Sequence, residues 1–347
     1  MSGLLAYSGI ATKVKAMQSK LLATDKLREM AALESVPEAL EYLKRQPAYE
    51  DIFRDADDQS FHRSAIEQRL LLSKYRDFTK LYRFSKVSQR KFLDLYFLHY
   101  EIAILKRCLR CVLDHRSPDL DLSLFQDFFE KHSHLNLMAL SASQTIQDFV
   151  SNLGGTVFYE LLSDLADTPG TTLFDYELKM DLLYFKTIWK QSSHLSKKEH
   201  EVLTKCFGSK LDVLNIQWIY RSKKYYQLST ADIYALLIPI HYRLRREDVR
   251  KLVESDGVDG FFAALKTTSY SSAADSDFCQ QPNLEELYEK VLNRIHRLTC
   301  QRQPYSIAAL NSYLYFKEQE VQRIITVIEG IRYGLGADTI CSYVIKD

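Results

Sequence analysis

The segment 38-EALEYLKRQPAY-49 decides the fold, because its pattern of a short apolar helix followed by a tyrosine occurs three times. It returns as 148-DFVSNLGGTVFY-159 and as 260-GFFAALKTTSY-270. The leucines that stand six or five residues before these tyrosines are separated by 110 and then 112 residues. A helical pattern that recurs at a fixed period indicates duplication of one structural unit. We therefore predict three homologous helical units, called repeats 1 to 3.

The repeat also suggests where the three units begin and end. Repeat 1 is predicted to cover residues 1–118, since Pro118 would stop its last helix. Repeat 2 covers residues 119–228, and repeat 3 covers residues 229–347, beginning where Ser229 or Thr230 can cap a helix. The prediction is an all-α protein whose three units are arranged about a pseudo-threefold axis.

Composition and charge exclude several classes of function. Lys plus Arg total 46 against 45 for Asp plus Glu, so no overall charge attracts nucleic acid or an anionic membrane. The 11 glycines include none between Gly9 and Gly154, which argues against glycine-rich phosphate loops and strand-rich folds. No stretch approaches the roughly 18 apolar residues of a membrane span, and no targeting segment is evident. We expect a cytosolic protein without a membrane span of its own.

The cysteines and histidines do not form a pattern typical of a metal or catalytic site. Cys108 and Cys111 have C-x-x-C spacing but lie within a helical pattern, without the further ligands that zinc needs. His194 and His200 flank Glu199, but the His-Glu-x-x-His motif is absent. We predict reduced structural thiols, no bound metal, no cofactor and no catalytic residue.

The last long helix has an apolar seam with steps of three and four residues, as in a coiled coil. Its members are Ile307, Leu310, Leu314, Lys317, Val321, Ile324, Ile328 and Ile331. An offset of 219 residues places the same seam in repeat 1, with Leu98 at the position of Lys317 and Glu101 at that of Glu320. Repeat 2 has Asp212 at the first of these positions. A buried lysine needs a partner, so we expect a carboxylate within bonding reach of Lys317, with Glu320 favoured over Asp212.

The basic run 241-HYRLRR-246 has two interpretations. Arg243, Arg245 and Arg246 could form a solvated face at the end of a helix. They could equally contact an acidic partner, because charge complementarity steers association and fixes register at an interface. The sequence leaves both interpretations open.

Several stretches, spread over nearly the whole chain, resemble one protein family. The segment 211-LDVLNIQWIYRSKKYY-226, with Asp212, Asn215, Arg221 and Lys223, is similar to a signature of the C subunit of prokaryotic V/A-type rotary ATPases. That protein is the relative of the d subunit in eukaryotic vacuolar ATPases. The segments 315-YFKEQEV-321, with Lys317, Glu318 and Glu320, and 329-EGIRYGL-335 resemble the closing helix of the family, and the opening from Tyr7 to Tyr49 fits it as well.

The resemblance implies a non-catalytic connector with a funnel-shaped body. Such a protein lies on the cytoplasmic face of the membrane rotor ring, as a peripheral component, and receives the tip of the central shaft from the ATP-hydrolysing head. One copy per complex is expected. It would transmit torque for ATP synthesis or for the transport of protons or sodium ions, with the shaft subunits and the rotor ring as partners.

Three other functions compete with the connector. A generic all-α scaffold that binds unrelated proteins would share the repeats but has no reason to carry the signature that contains Asp212. An enzyme lacks a supporting motif. A single-stranded nucleic-acid binder is suggested by the 22 tyrosines, several beside lysines. Balanced charge and helical spacing favour packing between repeats as the role of these tyrosines, so no nucleic-acid partner is predicted.

Overall fold

The computed structural model describes residues 2–54, 62–114, 122–271 and 284–345. Within these ranges every regular element is a helix and no strand occurs, which confirms the all-α fold class. In the same ranges, no helix combines the length and the apolar character that a bilayer crossing requires.

The first ten helices differ widely in length, and the fifth and sixth are the longest of them. The ten are α1 (Ser2–Gln18), α2 (Thr24–Ala31), α3 (Val36–Lys44), α4 (Glu50–Phe53), α5 (Arg63–Phe84), α6 (Val87–Leu113), α7 (Ser123–His132), α8 (Leu137–Ala142), α9 (Ile146–Ser151) and α10 (Val157–Ala166). The later ones are α11 (Leu173–Ser192), α12 (Lys197–Arg221), a π-helical segment (Ser222–Tyr226), α13 (Thr230–Leu236), α14 (Arg246–Glu254), α15 (Gly257–Leu265), α16 (Leu284–Arg302), α17 (Ile307–Arg332) and α18 (Ala337–Val344).

The described chain divides into two compact units. One comprises Met1–Leu173 together with Ala309–Asp347, and the other comprises Phe174–Ala308. The division into three repeats at residues 118 and 228 stays a prediction, and residue 118 itself lies outside the described ranges. The pseudo-threefold axis and the funnel also stay predictions.

The three copies of the repeated segment each contain a short helix, and the first two of these helices begin with a side-chain cap. Ser35 caps α3 by accepting the N–H of Glu38, and Thr145 caps α9 by accepting the N–H of Asp148. Serine and threonine are favoured at the start of a helix because their side chains accept a hydrogen bond from a free N–H of the first turn. The leucine shared by the three copies is completely buried in each, at Leu43, Leu153 and Leu265.

Each long helix that ends a repeat packs against the short helices of the repeat that follows. Helix α6 contacts α8 and α9, and the C-terminal half of α12 shares a core with α13, α14 and α15. Helix α17 shares its core with α2, α3, α4 and α18, so the last long helix packs against the first short helices of the sequence. This core joins the last long helix to the beginning of the sequence within the first compact unit.

The apolar seam is buried along the whole of α17, from Ile307 to Ile331. In α6 only its C-terminal part is buried, because Leu95 and Leu98 are half-exposed. The Cys108 thiol is free and buried, as expected, and burial raises its pKa to about 12, so it stays protonated. Ser229 caps α13 by accepting the N–H of Asp232, as predicted.

Candidate functional site: the polar positions of the long helices

A buried ion pair lies in the middle of α17. The Nζ atom of Lys317 is 2.7 Å from Oε2 of Glu320, and the two side chains are only 2% and 4% exposed. Residues three apart on a helix are neighbours on its surface. The prediction that Lys317 has a carboxylate within bonding reach, with Glu320 favoured, is therefore confirmed. Two charges taken out of water are costly unless further hydrogen bonds satisfy them.

Two groups from early in the sequence supply those hydrogen bonds. The Tyr49 hydroxyl donates to Glu320 Oε2 at 2.7 Å and accepts from Lys317 Nζ at 2.9 Å. The backbone N–H of Leu22 donates to Glu320 Oε1 at 2.5 Å. Burial, together with the charge of Glu320, raises the pKa of Tyr49 well above its ordinary value, so its hydroxyl keeps the proton that it donates. We call Leu22, Tyr49, Lys317 and Glu320 the clasp.

Asp212 of α12 is also buried, but it forms no ion pair with a residue of the described ranges. Its Oδ1 accepts the N–H of Tyr242 at 3.1 Å, and its Oδ2 accepts the N–H groups of Arg243 at 2.7 Å and Leu244 at 2.9 Å. The Tyr270 hydroxyl donates to the same Oδ2 at 2.8 Å. Burial raises the pKa of the Asp212 carboxyl, while the four hydrogen bonds oppose that rise. The carboxylate thus fixes the backbone of residues 242–244.

Two other signature residues, Asn215 of α12 and Lys223 of the π-helical segment, also bond backbone groups. Asn215 bonds both groups of Ile238, its amide donating to the carbonyl at 3.0 Å and its oxygen accepting the N–H at 2.9 Å. Lys223 donates to the carbonyl of Ser255, the C-cap of α14, at 2.6 Å. A cation at a helix C-terminus is favourable. Arg221 at the end of α12 is exposed.

Of the three arginines predicted to face a partner, Arg243 lies on the backbone that Asp212 fixes, and Arg245 and Arg246 follow that backbone at the start of α14. Arg243 and Arg246 are exposed, and Arg245 is the exposed N-cap residue of α14. None of the three forms an ion pair with a residue that the structure describes. Their guanidinium groups are therefore presented to solvent from a segment whose backbone is held at three consecutive N–H groups.

Glu318, the third acidic residue of the C-terminal signature, joins α17 to α6. The Tyr96 hydroxyl donates to Glu318 Oε1 at 2.8 Å, and His99 Nε2 lies 3.2 Å from the same oxygen. Neither contact was predicted. Glu318 thus ties the last long helix to the long helix of repeat 1, beside the clasp on the neighbouring residues.

One polar position recurs in all three long helices and makes the same kind of contact in each. The 219-residue offset relates Glu101 to Glu320, and an offset of 114 relates Glu101 to Asn215. Glu101 accepts a hydrogen bond from the Ser133 hydroxyl, and Asn215 accepts the N–H of Ile238. In both cases the donor follows the long helix in sequence. For Glu320 the corresponding donor is Leu22, from the beginning of the sequence.

A second position recurs together with the repeated tyrosine. Tyr270 of repeat 3 bonds Asp212 of repeat 2, and Tyr49 of repeat 1 bonds Lys317 of repeat 3. The remaining tyrosine, Tyr159, is 42% exposed, and the seam residue of the preceding long helix is Leu98, which offers no polar partner. The tyrosine therefore reaches the preceding long helix wherever that helix carries a charge at this position.

Asp212 and Lys317 belong to different compact units. Each of these charges is satisfied by groups within its own compact unit. Glu320 was the predicted partner of Lys317, whereas the further partners of the two charges are the repeated tyrosines and, for Asp212, backbone N–H groups. The recurrence of the tyrosine five or six residues after each leucine was the signal that could have identified Tyr49 and Tyr270.

The chemistry of these clusters is that of attachment. Their donors and acceptors are bonded to one another, so none is left as an activated nucleophile or base. Among the described residues, no group of three or more His, Cys, Asp or Glu side chains is placed to hold a metal ion. The arrangement can fix segments of chain on the long helices.

Comparisons with known proteins agree over nearly the whole length. The family described as ATP synthase (C/AC39) subunit matches residues 10–343. The A-type ATP synthase C subunit of Methanothermobacter thermautotrophicus is 23% identical over 320 residues, covering 90% of this chain and 80% of that protein. Its counterpart from Methanosarcina mazei is 22% identical and covers 96% and 91%. The Thermococcus kodakarensis protein of the same name is 23% identical and covers 97% and 90%.

Proposed function

Because the chain belongs to the ATP synthase (C/AC39) subunit family, and so is a non-catalytic subunit of a V/A-type rotary ATPase, we propose that it is the central-stalk connector. In this role it joins the rotary shaft of the ATP-hydrolysing head to the membrane rotor ring. It transmits torque that is coupled to transport of protons or sodium ions. One copy acts in each complex, at the cytoplasmic face of the membrane, held there through the rotor ring.

The observation that carries this proposal is the clasp. It joins Leu22 to Glu320 across 298 residues of sequence and Tyr49 to Glu320 across 271. The same two kinds of contact occur at Asn215 and Asp212, between segments that are near in sequence. The last long helix is thus attached to the first repeat as α12 is attached to the segment after it. This recurrence supports the division into repeats 1–118, 119–228 and 229–347.

A mechanical role requires attachments that resist displacement. Apolar side chains pack closely, but a helix can shift along an apolar seam with little change in the area that it buries. A buried hydrogen-bonded charge has no such alternative, because a shift would leave it unpaired in a low-dielectric environment. The clasp therefore fixes α17 at one register against the segments around Leu22 and Tyr49. Load applied to α17 reaches those segments without slippage.

Arg243, Arg245 and Arg246 are the candidate contact with a partner. They are exposed, the backbone of Arg243 is held by Asp212, and the N–H of Arg245 is held by Asp248. A fixed cationic group suits an acidic surface on the shaft or on a loop of the rotor ring, since charge complementarity steers docking and sets register. Replacing all three by glutamine is expected to weaken assembly and to make it less sensitive to salt.

The experiment that tests the connector role measures ATP hydrolysis and ion pumping together, in vesicles that carry the whole complex. Without this protein, the head is expected to hydrolyse ATP while pumping is lost. In complexes with the Y49F variant, pumping per ATP is expected to fall, because the hydroxyl that bridges Lys317 and Glu320 is gone. Y159F is the matched control, since Tyr159 is exposed. Equal pumping with and without the protein would refute the proposal.

A pull-down from native membranes identifies the partners. Recovery of shaft and rotor-ring subunits with this protein is the expected result. Recovery of unrelated proteins alone would instead favour the generic scaffold. If substitution of Arg243, Arg245 and Arg246 abolishes recovery of the shaft subunits but not of the ring, these arginines contact the shaft.

A further inference from the structure

A cavity of about 710 Å³ lies within the first compact unit, and none of the four clasp residues lines it. Its walls come from α1, residues 47–52, α5 and α7, with Tyr313 of α17 at its base. This volume falls within the range of roughly 300 to 1,000 Å³ typical of small-molecule sites.

The wall of the cavity is rich in cationic side chains. They are Lys13, Lys20, Arg76, Lys80, Arg83 and Lys131. The acidic side chains on the same wall are Asp51, Asp77 and Asp127, so the cations exceed the carboxylates by three. The whole chain has a formal net charge of only +1, so this excess is local.

Two of the three carboxylates are already bonded. Asp77 accepts from Lys80 at 3.0 Å and from the Tyr313 hydroxyl at 2.6 Å. Asp51 pairs with Arg54, which does not line the cavity, at 2.5 Å. Little negative charge is left to neutralise the remaining cations of the wall.

Four of the cations have no acidic partner. Lys13, Lys20, Arg83 and Lys131 form no ion pair with any residue in the described part of the chain. The Nζ atom of Lys13 instead lies 4.7 Å from the centre of the Phe84 ring. Like charges gathered around one concavity repel one another, and an anion that enters it relieves this repulsion.

The floor of the cavity is apolar and aromatic. Met17, Ile52, Tyr75, Phe128 and Tyr313 line it and are all buried. Tyr75 and Phe128 are stacked with their ring centres 4.5 Å apart, which makes this part of the floor rigid. A ligand that uses both parts of the cavity carries an apolar or aromatic body and more than one negative charge.

We propose that this cavity binds an organic phosphate of the nucleoside di- or triphosphate class. The phosphate groups contact the unpaired lysines and Arg83, whose guanidinium can hold a phosphate through two hydrogen bonds. The ring system lies against the aromatic floor. Binding here involves no hydrolysis, and it is independent of the connector role.

The test is equilibrium binding of ADP and ATP, without divalent metal, to the full chain at low salt. Saturable binding that weakens as salt is added is the expected result. Inorganic tripolyphosphate, which lacks the organic body, is expected to bind at least about tenfold more weakly than ATP. Equal affinity for the two would refute the use of the apolar floor, and absence of saturable nucleotide binding would refute the proposal.

A charge-matched pair of variants locates the site. The triple variant K20Q/R83Q/K131Q removes three cations of the wall, none of which makes an ion pair in the described chain. The control K15Q/K91Q/K179Q removes three exposed lysines that do not line the cavity. The first variant is expected to bind ATP about tenfold or more weakly, and the control within about twofold of the wild type. An equal loss of ATP affinity in the two variants would show that ATP binds at another place on the protein.

Two further measurements complete the test. Hydrogen exchange with bound ADP is expected to slow in α1, α5 and α7 and to stay unchanged in α12 and α16, and protection confined to other helices would overturn the assignment. A decaglutamate peptide serves as a model of an acidic protein segment. Binding of this peptide without binding of ADP or ATP would refute the small-molecule site in favour of a protein-docking surface.

Discussion

Replacing Lys317 by methionine tests whether the buried ion pair holds α17 in place. The substitution keeps an unbranched side chain of similar length but removes the ammonium group that lies 2.7 Å from Glu320. Glu320 would keep the donors Tyr49 and Leu22 while remaining in a site where its side chain is 4% exposed. Removing one partner of a buried pair typically costs about 3 to 5 kcal/mol, because the other charge is left uncompensated. Since two donors remain, we expect a value near the lower limit, about 3 kcal/mol.

An exposed pair on α2 provides the matched control. Lys26 and Glu29 are also three residues apart and bonded at 2.8 Å, but they are 46% and 51% exposed. The K26M variant is therefore expected to change the free energy of unfolding by no more than about 1 kcal/mol. The comparison keeps the helix spacing and the contact distance nearly constant, so that the difference between the variants reports burial.

The assay is urea unfolding of the wild type, K317M, E320Q and the double variant. Hydrogen exchange in α17 and around Tyr49 reports whether the loss is local to the clasp. The coupling energy between the two substitutions should be about 1 to 3 kcal/mol, because the double variant leaves neither charge alone. A K317M variant as stable as the wild type, or a coupling energy near zero, would show that the pair does not hold the helix.

Three other predictions concern stability. Y270F should lower the free energy of unfolding by about 1 to 3 kcal/mol, since it removes a donor to the buried carboxylate of Asp212. In the same urea assay, Y159F should stay within about 0.5 kcal/mol of the wild type. G330A should cost about 1 to 3 kcal/mol, because a Cβ there would lie 2.6 Å from Ile340 Cγ1, whereas G9A meets no atom within 4 Å and should be neutral or stabilising. Burial raises the pKa of Tyr270 above the value of about 10 for an unfolded chain, so folding favours its neutral form and stability falls as pH rises above 10. Absorbance at alkaline pH should show that this tyrosine ionises only when the protein unfolds. In Y270F, the free energy of unfolding should fall less steeply as pH rises above 10. Ionisation of Tyr270 near pH 10 in the folded protein would contradict the prediction.

The features that sequence reasoning predicted correctly depend on residues that are near one another in the chain. The all-α fold follows from helical periodicity, and the partner of Lys317 follows from a spacing of three residues on one helix. The cap at Ser229 is also a local signal. Such contacts require no knowledge of how the repeats pack.

The contacts that sequence reasoning missed depend on tertiary packing. Tyr49 reaches Glu320 only because the core of repeat 1 includes α17, and that placement is not visible in any window of the sequence. The partners of Asp212 are mainly backbone N–H groups, which every residue except proline carries and which no residue type therefore marks. The seam of α6 shows the converse, because all of its residues are apolar and yet Leu98 is partly exposed. An apolar residue at a seam position therefore does not guarantee burial.

The three long helices show how one repeated scaffold can fix register with different side chains. Glu101, Asn215 and Glu320 differ in charge, yet each accepts a hydrogen bond from a segment that packs on its helix. Because an amide and a carboxylate both accept a hydrogen bond, the contact survives a change of residue type, and charge is not what the position requires. Only the third helix adds a buried lysine, and it is this helix whose neighbours Leu22 and Tyr49 are not held nearby by chain connectivity. A tether between distant segments must offset more loop-closure entropy than one between adjacent segments. We infer that the additional ion pair stands at the one junction of the repeats that the chain does not itself connect.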